Sequence, residues 1–443
     1  MGGGGIILSS LRASTVIVIR DVFVHPSMEN DRCSDQTITV IGMQLMGHLA
    51  NGEFERAHAL LGEQMRAAMS SEELEDAWNG IISTKGQLQG LSGTRCEEEG
   101  GFRAVHLTCG FSSGSMVDVK LVFRDAEEVL GLWFHPQDPV YRVPDYVDEG
   151  AFSEKDVGVG EHSLPGKVTV PEGEGPFPAV LLVHGSGPND MDETLWETKV
   201  FRDLAWGLSS DGVVVLRYDK RPRARPDLFE GDFTIMDEVV DDAVEGLRML
   251  MSMDEVDADR VFVLGHSLGG MMVPRIASIE GRVAGLILMA GDAGHLEDAF
   301  LEQIEYLVNL DGVIDENEAA LLEETRETVT KIKELDIAEG EMVLGAGRAY
   351  WEDLNAYDQL STAAELERPF LVLQGERDYQ VTMDDLEAWR EVLAGKDATF
   401  LSYPKLNHMM IAGEGTSTPQ EYTLPGNLSR EVVEDILDWI GDL

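Results

Sequence analysis

The segment that most constrains this chain is an apolar run, Val261–Leu264, that passes directly into Gly-His-Ser-Leu-Gly-Gly at 265–270. A short buried strand followed by Gly-x-Ser-x-Gly and a helix places the serine on a sharp turn. Such a turn leaves no space for side chains two residues before and after the serine, which accounts for Gly265 and Gly269. The pattern predicts that Ser267 presents its hydroxyl at the end of a sheet strand, beside the positive end of the next helix.

Residues from about 151 to the end of the chain alternate between apolar runs of strand length and stretches of helical periodicity. The predicted strands are Ala179–Val183, Val213–Leu216, Val261–Leu264, Val283–Met289, Phe370–Leu373 and Thr399–Tyr403. The predicted helices are Phe201–Leu208, Met236–Met251, a helix after Ser267, and Val432–Ile440. Continuous apolar runs are typical of strands buried on both faces, and the alternation predicts a doubly wound, mostly parallel α/β sheet.

Two polar residues follow later strands and are the candidates to activate Ser267. Asp378 comes soon after Phe370–Leu373, and His408 comes soon after Thr399–Tyr403. The carboxyl ends of the strands in such a sheet are where ligands bind, so both side chains are expected near the serine. The chain order Ser, Asp, His predicts His408 as the general base and Asp378 as the group that holds its tautomer. Three other carboxylates are less favoured as the acid. Glu376 comes too early in its loop, and Asp384 and Asp385 begin the next helix.

The loop after the strand at 179–183 reads His-Gly-Ser-Gly from 184 to 187. The tetrahedral intermediate of an acyl transfer carries an oxyanion, which backbone N–H donors can stabilise. We expect the N–H groups of Leu268 and Ser186 to do so, with Gly187 as the alternative to Ser186. Two histidines lie beside these motifs and are not expected to react. We expect His184 to orient its loop and His266 to pack.

Taken together, these motifs resemble those of serine α/β hydrolases of the esterase and serine-aminopeptidase-like type. The motifs are Leu-Pro-Gly (164–166), Val-His-Gly-Ser-Gly-Pro-Asn-Asp (183–190), Arg-Tyr-Asp-Lys-Arg (217–221), Gly-His-Ser-Leu-Gly-Gly (265–270), Gly-Glu-Arg-Asp-Tyr-Gln-Val (375–381) and Asn-His (407–408). The resemblance covers about 150–443. It implies an α/β-hydrolase fold and hydrolysis of carboxylic esters with small or medium acyl groups through an acyl-enzyme, without metal or cofactor. Similar proteins usually have glycine after Tyr-Asp-Lys-Arg, whereas this chain has Pro222.

The residues before 151 have a different pattern, with helices first and strands afterwards. A helix is predicted at Leu74–Ile82 with Ser70 and Ser71 before it, and strands at Gly101–Gly110, Met116–Phe123 and Val129–Phe134. This α+β pattern resembles the small cone-shaped domain of unknown function that often precedes bacterial and archaeal α/β hydrolases. We expect it to be a binding or dimerising module, through which the chain could form a homo-oligomer.

The patterns together predict how the chain divides into domains. We expect an accessory domain at 37–137, a linker at 138–150 and a catalytic domain at 151–443, with a helical lid inserted at 292–360. Residues 1–36 fit neither domain and are predicted to be disordered or a mis-annotated start, with translation beginning at Met28.

Two features bear on the substrate. In the lid, Tyr350 and Trp351 are candidates to line an acyl or alcohol pocket, although packing against the sheet domain is the favoured explanation. A basic cluster from 217 to 225 includes Arg221 and Arg223, which are candidates to bind a substrate carboxylate or phosphate. The alternative is that nearby acidic residues neutralise this cluster, such as Asp227, Glu230 and Asp232.

Composition limits the partners of the chain. Its 34 basic and 82 acidic residues give a formal charge of −48, which opposes binding to nucleic acid or to an anionic membrane. An acid excess with little lysine is typical of salt-loving organisms, and an ordinary acidic cytosolic enzyme is the alternative. No apolar stretch is long enough to cross a membrane. The odd cysteine number predicts three free thiols and a cytoplasmic location, at Cys33, Cys96 and Cys109.

The motifs leave several functions open. Ester and amide cleavage use the same catalytic groups, so a serine aminopeptidase is the alternative to an esterase. An acyl-CoA thioesterase is less favoured, because the negative chain would repel an anionic coenzyme. A binding protein without catalytic activity is least favoured, since the serine, acid, histidine and oxyanion loop are all present.

Overall fold

The computed structural model describes residues 36–443 except 87, 100–101, 112–115, 125–127, 137–140, 196–197, 230 and 311. Within the described part, the chain divides into two compact units. One comprises the residues up to Tyr141 with the segment Tyr422–Pro425, and the other comprises Arg142–Glu421 with Gly426–Leu443. The proposed start at Met28 lies outside the described residues.

The first unit packs short helices on an antiparallel sheet. Its elements are α1 (Gln36–Ala50), α2 (Phe54–Ala59), α3 (Glu63–Ala68), α4 (Ser71–Lys85), β1 (Leu88–Glu99), β2 (Phe102–Phe111), β3 (Met116–Phe123) and β4 (Val129–Pro136). The strands lie in the order β1-β2-β3-β4. One face of β3 is buried at every second residue, and its Val119 and Leu121 pack in the same core as Leu45 and Leu49 of α1. The predicted α+β character is confirmed.

The local sequence patterns in this unit predicted the start of one helix correctly but missed one strand. Ser70 and Glu73 form a reciprocal capping box that starts α4, as the sequence predicts. The strand β1 was not predicted, because its acidic end, Glu97–Glu99, has no apolar alternation. Backbone pairing with β2 extends it to the end of the hairpin.

The cysteine prediction needs a correction. Cys96 lies opposite Val105 in the hairpin, as expected, so it does not face Cys109. Cys109 is a buried free thiol. Cys96, however, is disulfide-bonded, so the prediction of three free thiols is wrong at this position. Cys33 lies outside the described residues, and the thiol argument for a reducing compartment no longer holds.

The second unit alternates strands and helices. Its strands are β5 (Phe152–Val159), β6 (Leu164–Pro171), β7 (Phe177–Val183), β8 (Thr194–Leu195), β9 (Thr198–Lys199), β10 (Val214–Tyr218), β11 (Val256–His266), β12 (Gly285–Met289), β13 (Phe370–Gly375) and β14 (Ala398–Tyr403). Its α-helices are α5 (Val200–Ser210), α6 (Arg221–Ala224), α7 (Asp241–Leu250), α8 (Leu268–Ile279), α9 (Leu296–Val308), α10 (Glu316–Lys333), α11 (Arg348–Asn355), α12 (Gln359–Glu365), α13 (Met383–Val392) and α14 (Arg430–Asp442). A π-helical turn, Met236–Val240, leads into α7, and 3₁₀ turns lie at Pro226–Phe229 and Pro419–Thr423.

The main sheet has the order β14-β13-β12-β11-β7-β10-β6-β5. The strands from β14 to β10 pair in parallel, whereas β6 is antiparallel to β10 and β5 is antiparallel to β6. The predicted doubly wound, mostly parallel sheet is therefore confirmed, with β6 and β5 added at one edge through antiparallel pairing that the sequence did not predict. The residues of β12 are all buried, as the continuous apolar run predicts.

The sheet brings distant segments to one edge. The strands β7, β11, β13 and β14 end at 183, 266, 375 and 403, and each predicted catalytic loop begins at one of these ends. Between β12 and β13 the chain forms α9 to α12, in the segment where we expect a lid. Among the described residues, none of the helices combines the length and apolar character needed to span a bilayer.

Candidate active site

Ser267 lies on a strained turn between β11 and α8. Its φ is +53°, in the region that side chains disfavour, and its N–H donates to the Met289 carbonyl at 3.0 Å. A Cβ on Gly265 would lie 2.2 Å from the Gly269 carbonyl oxygen, and one on Gly269 would lie 2.2 Å from the Val183 carbonyl oxygen. The prediction that both positions exclude side chains is thus confirmed, and this close packing holds the serine at the start of the helix.

His408 and Asp378 meet through a short hydrogen bond. His408 Nδ1 lies 2.7 Å from Asp378 Oδ2, and both side chains are buried. The backbone N–H groups of Gln380 and Val381 donate to Asp378 Oδ1 at 2.8 and 3.1 Å, and the Gln374 amide donates to Oδ2. A carboxylate surrounded by donors accepts from Nδ1–H, which leaves Nε2 of His408 free to accept a proton.

Ser267 and His408 line one cavity of about 480 Å³, called here the catalytic cavity. Ser186 and Leu268, the expected oxyanion donors, line it too, together with Trp351 of α11. The structure thus brings together residues that are up to 222 positions apart in the sequence.

Hydrogen bonds orient the loop that carries Ser186. Glu193 Oε1 accepts from the Gly185 N–H at 2.7 Å, and Lys220 Nζ donates to the Gly185 carbonyl at 2.9 Å. Because a trans peptide is planar, a carbonyl held toward Lys220 turns the Ser186 N–H to the opposite side. This arrangement favours Ser186 over Gly187, which lines a neighbouring cavity but not the catalytic one.

His184 helps to orient the same loop, as expected. Its ring is buried against Phe201 and Tyr218, and its Nε2 lies 3.1 Å from the Asp190 carbonyl. Burial lowers the pKa of His184 to about 4, so the ring is neutral and donates from Nε2.

Sequence reasoning missed the pairing of His266 with Glu193. Glu193 Oε2 lies 3.0 Å from His266 Nδ1, and His266 Nε2 lies 2.9 Å from the His408 carbonyl. Burial lowers the pKa of His266, but the Glu193 carboxylate outweighs that effect and raises it overall. Two acceptors face the two ring nitrogens, an arrangement that favours the imidazolium form. His266 lies inside the Gly-x-Ser-x-Gly motif and so can be singled out from the sequence. No local sequence pattern points to Glu193.

The basic cluster does not reach the catalytic cavity. Arg221 is buried and binds both carboxylate oxygens of Asp242 at 2.7 and 2.8 Å. Arg217 is fully buried between Asp192 and Glu154, and Arg223 is exposed outside the cavity lining. The expectation that Arg221 binds a substrate anion is therefore corrected, because Asp242 occupies its guanidinium and acidic neighbours neutralise most of the cluster. A role for the exposed Arg223 in binding a substrate anion stays a prediction.

A second cavity of about 460 Å³ adjoins the first, and Tyr350 and Trp351 both line it. Tyr350 is absent from the catalytic-cavity lining, whereas Trp351 belongs to both linings. Both side chains are buried, so each also packs in the core of the unit.

One carboxyl of a neighbouring pair, Asp292 and Asp385, also borders the catalytic cavity. Asp292 lines the cavity and is buried, and its Oδ1 accepts from the Gly294 N–H at 2.6 Å. Burial, followed by the neighbouring Asp385 carboxylate, raises the pKa of Asp292 to about 8. Asp385 also caps α13 through the Thr382 N–H. Asp292 was not predicted, because the strand β12 carried no recognisable catalytic motif at its end.

Comparisons with known proteins agree with this geometry. Residues 176–415 match the family described as serine aminopeptidase S33. Esterase EstD of Thermotoga maritima is 39% identical over 395 residues, which make up 89% of this chain and 93% of that protein. The chain belongs to the serine aminopeptidase S33 family. This membership confirms the resemblance to α/β hydrolases and the expectation of a hydrolase fold.

The S33 chain also matches, over residues 43–132, a family described as protein of unknown function (DUF3887), in agreement with the expected small preceding domain. Among solved structures, Est1E of Butyrivibrio proteoclasticus with ferulic acid is 16% identical with a TM-score of 0.42, covering 65% of this chain and 98% of that one. A puromycin-hydrolyzing peptidase of Mycobacterium tuberculosis is 17% identical with a TM-score of 0.45, and the match covers 80% of this chain and 48% of that one. At these scores, neither likeness bears on the substrate of this S33 chain.

Proposed function

We propose that this protein is a serine ester hydrolase that cleaves carboxylic esters with small or medium acyl groups through an acyl-enzyme. The observation that carries the proposal is the buried 2.7 Å pair of His408 and Asp378, beside the cavity lined by His408 and Ser267. The 39% identity to an esterase over 89% of the chain supports the choice of esters.

In the first half of the reaction, the Ser267 hydroxyl oxygen attacks the ester carbonyl carbon, and His408 Nε2 takes the hydroxyl proton. The carbonyl oxygen becomes an oxyanion, which accepts from the N–H groups of Ser186 and Leu268. The carbon–oxygen bond to the alcohol then breaks, and His408 returns the proton to the departing alcohol. The product is an acyl ester on Ser267.

In the second half, His408 removes a proton from a water molecule that attacks the acyl carbon. The tetrahedral intermediate collapses, the proton returns to Ser267, and the carboxylic acid leaves. Asp378 holds the Nδ1–H tautomer and stabilises the imidazolium that forms in both halves. Removing one oxyanion donor typically costs about 10²–10³-fold in kcat.

The decisive experiment compares 4-nitrophenyl acyl esters of increasing chain length with aminoacyl 4-nitroanilides, using the wild type and Ser267→Ala. We expect ester cleavage in the wild type and a loss of at least about 10³-fold in the variant. Ester cleavage that persists in a folded Ser267→Ala protein contradicts the mechanism.

The second candidate function is an aminopeptidase, and the position of Asp292 favours it. Asp292 holds its proton near neutral pH in the free protein, but the positive charge of a substrate ammonium in the catalytic cavity would favour its carboxylate form, with Asp385 beside it. Cleavage of anilides without cleavage of esters in the panel above would make this the function. An Asp292→Asn variant would then raise KM for aminoacyl anilides but not for N-acetylated ones.

The high acidity supports a finer proposal, that the protein works in a salt-rich cytoplasm. At about 1 M salt the Debye length falls to about 3 Å, which screens the self-repulsion of a chain with charge −48. Activity and the melting temperature should then rise from low to molar KCl. Equal activity and stability at both salt concentrations would favour an ordinary acidic enzyme.

The domain bounds 37–137, 138–150 and 151–443, with a lid at 292–360, are also proposals, as is a homo-oligomer formed through the first domain. Sedimentation of the full chain and of a chain lacking residues 37–137 tests the last of these. We expect the shorter chain to sediment as a smaller assembly. Identical subunit numbers in both would exclude a dimerising role.

A further inference from the structure

The two cavities beside Ser267 share part of their walls. Ser186, Leu268, Leu296, Leu344 and Trp351 line both the catalytic cavity and its neighbour. Ser186 and Leu268 are the proposed oxyanion donors, so the carbonyl of a bound ester lies where the cavities meet. The two substituents of that carbonyl group then have two separate spaces to occupy.

The neighbouring cavity, called here the apolar lobe, has rings over much of its wall. Its lining includes Pro188, Pro222, Pro226, Phe229, Phe233 and Tyr350. Phe233 packs edge-on against Phe229, with ring centroids 4.7 Å apart, and against Tyr350, with centroids 5.5 Å apart. The volume of about 460 Å³ falls in the range of small-molecule sites, which is about 300–1,000 Å³.

The charged side chain in the lining of the lobe, Glu238, already has a partner within the protein. Glu238 lines the lobe, but its carboxylate lies 2.5 Å from Lys220 Nζ, which also holds the Gly185 carbonyl. Its charge is therefore neutralised within the protein and does not call for a cationic ligand. The catalytic cavity differs, because Asp292, Gln303 and Gln380 line it and give it polar walls.

A strained residue lies where the two cavities meet. Leu344 has a φ of +48° in a tight turn closed by hydrogen bonds of 2.8 and 3.1 Å between Val343 and Ala346. This left-handed conformation is disfavoured for a residue with a side chain. Its apolar side chain is 44% exposed and lines both cavities.

We propose that the apolar lobe binds a ring-bearing, apolar substituent of the ester, while the other substituent lies in the catalytic cavity. The proposal rests on the proposed esterase function. It makes the lobe a specificity site, since rings contact rings there with little polar surface to desolvate. The ring can belong to the acid or to the alcohol, and the substrates below distinguish the two.

The test measures acid release by pH-stat titration with ethyl butanoate, ethyl 3-phenylpropanoate and 2-phenylethyl acetate. The readout is the ratio of kcat/KM for each phenyl ester to that for ethyl butanoate. We expect Phe233→Ala to lower this ratio about tenfold or more for one phenyl ester, because a ring loses an apolar wall. That ester identifies whether the acid or the alcohol carries the ring.

The matched control is Phe300→Ala, which removes an equally half-buried ring that lines the catalytic cavity only. It should not lower the same ratio. Phe229→Ala is the second lobe variant, and melting curves show which variants fold. Ratios within twofold of the wild type in the folded lobe variants, or a wild type that rejects both phenyl esters, would overturn the lobe proposal. Hydrolysis of ethyl butanoate by Ser267→Ala would instead overturn the esterase mechanism.

Discussion

Glu193 and His266 form a buried pair, 3.0 Å apart, that joins the proposed oxyanion loop to the loop of His408, the proposed general base. Glu193 also accepts from the Gly185 N–H, and His266 also donates to the His408 carbonyl. The nucleophile turn is part of the same network, because His266 directly precedes Ser267. The pair therefore holds three segments of the proposed site together, and both of its side chains also line the catalytic cavity.

Replacing Glu193 by Gln should lower both stability and kcat. Breaking a buried charge pair costs about 3–5 kcal/mol, and a displacement of about 1 Å in a catalytic group can cost about 10²-fold in rate. We expect a fall in kcat of about 10–100-fold with a smaller change in KM. Steady-state kinetics and urea unfolding measure the two effects. A variant with normal kcat would show that the pair does not position the catalytic groups.

The same variant should show a pH-dependent loss of stability. His266 has a raised pKa in the folded protein, so its contribution is fully present below about pH 6.5 and is lost as the pH rises through its folded pKa. Glu193 has a lowered pKa, so its contribution is present above about pH 4.5 and is lost at lower pH. The difference between wild type and Glu193→Gln should therefore be larger at pH 6 than at pH 9. Equal differences at both values would contradict an imidazolium at His266.

Replacing Lys220 by Met should weaken the oxyanion site. The variant removes the donor that holds the Gly185 carbonyl and leaves Glu238 without its cation. We expect kcat to fall about 10-fold or more, since only the Asn189 amide, at 3.2 Å, then holds the Gly185 carbonyl that orients the Ser186 N–H. The double variant Lys220→Met with Glu238→Gln separates the two effects. It should recover stability but not kcat, and recovery of kcat would mean that the loss came from the unpaired carboxylate.

Replacing Gly269 by Ala should damage the nucleophile turn. A Cβ there would lie 2.2 Å from the Val183 carbonyl oxygen, so backbone must move. We expect a loss of about 1–3 kcal/mol in the free energy of unfolding and of at least about 10²-fold in kcat/KM. Gly281→Ala is the matched control, because no atom lies within 4 Å of its added Cβ. Thermal melting should separate the two variants clearly, and equal melting temperatures would refute the close-packing argument.

Replacing Asp292 by Asn should stabilise the protein at alkaline pH. An aspartate in an unfolded chain loses its proton near pH 4, whereas folded Asp292 keeps it up to about pH 8. The folded state thus holds more protons in this window, so the group lowers the free energy of unfolding as the pH rises through it. The free energy of unfolding of the variant minus that of the wild type should be larger at pH 9 than at pH 4 by at least about 1 kcal/mol. The exposed Asp156→Asn variant controls for a change in net charge, and an identical pH dependence in all three proteins would contradict the prediction.

Much of the fold was predictable because the signals are local. The strand before Ser267, the glycines around it and the capping box at Ser70 each depend on residues within a few positions. The strands β5 and β6 were not predictable in the same way. Their residues are only partly apolar, and pairing with β10 and with each other determines their structure.

The sequence alone determined the doubly wound sheet, the hydrolase family and the residues that could react, since buried strands, sharp turns and chain order leave direct patterns. Only the tertiary structure decided how those residues are supported and what surrounds them. Glu193 reaches His266 across 73 positions, and Arg221 is bound by Asp242 and not exposed to a substrate. Such contacts depend on which loops the sheet brings together, and no periodicity or spacing in the chain records them.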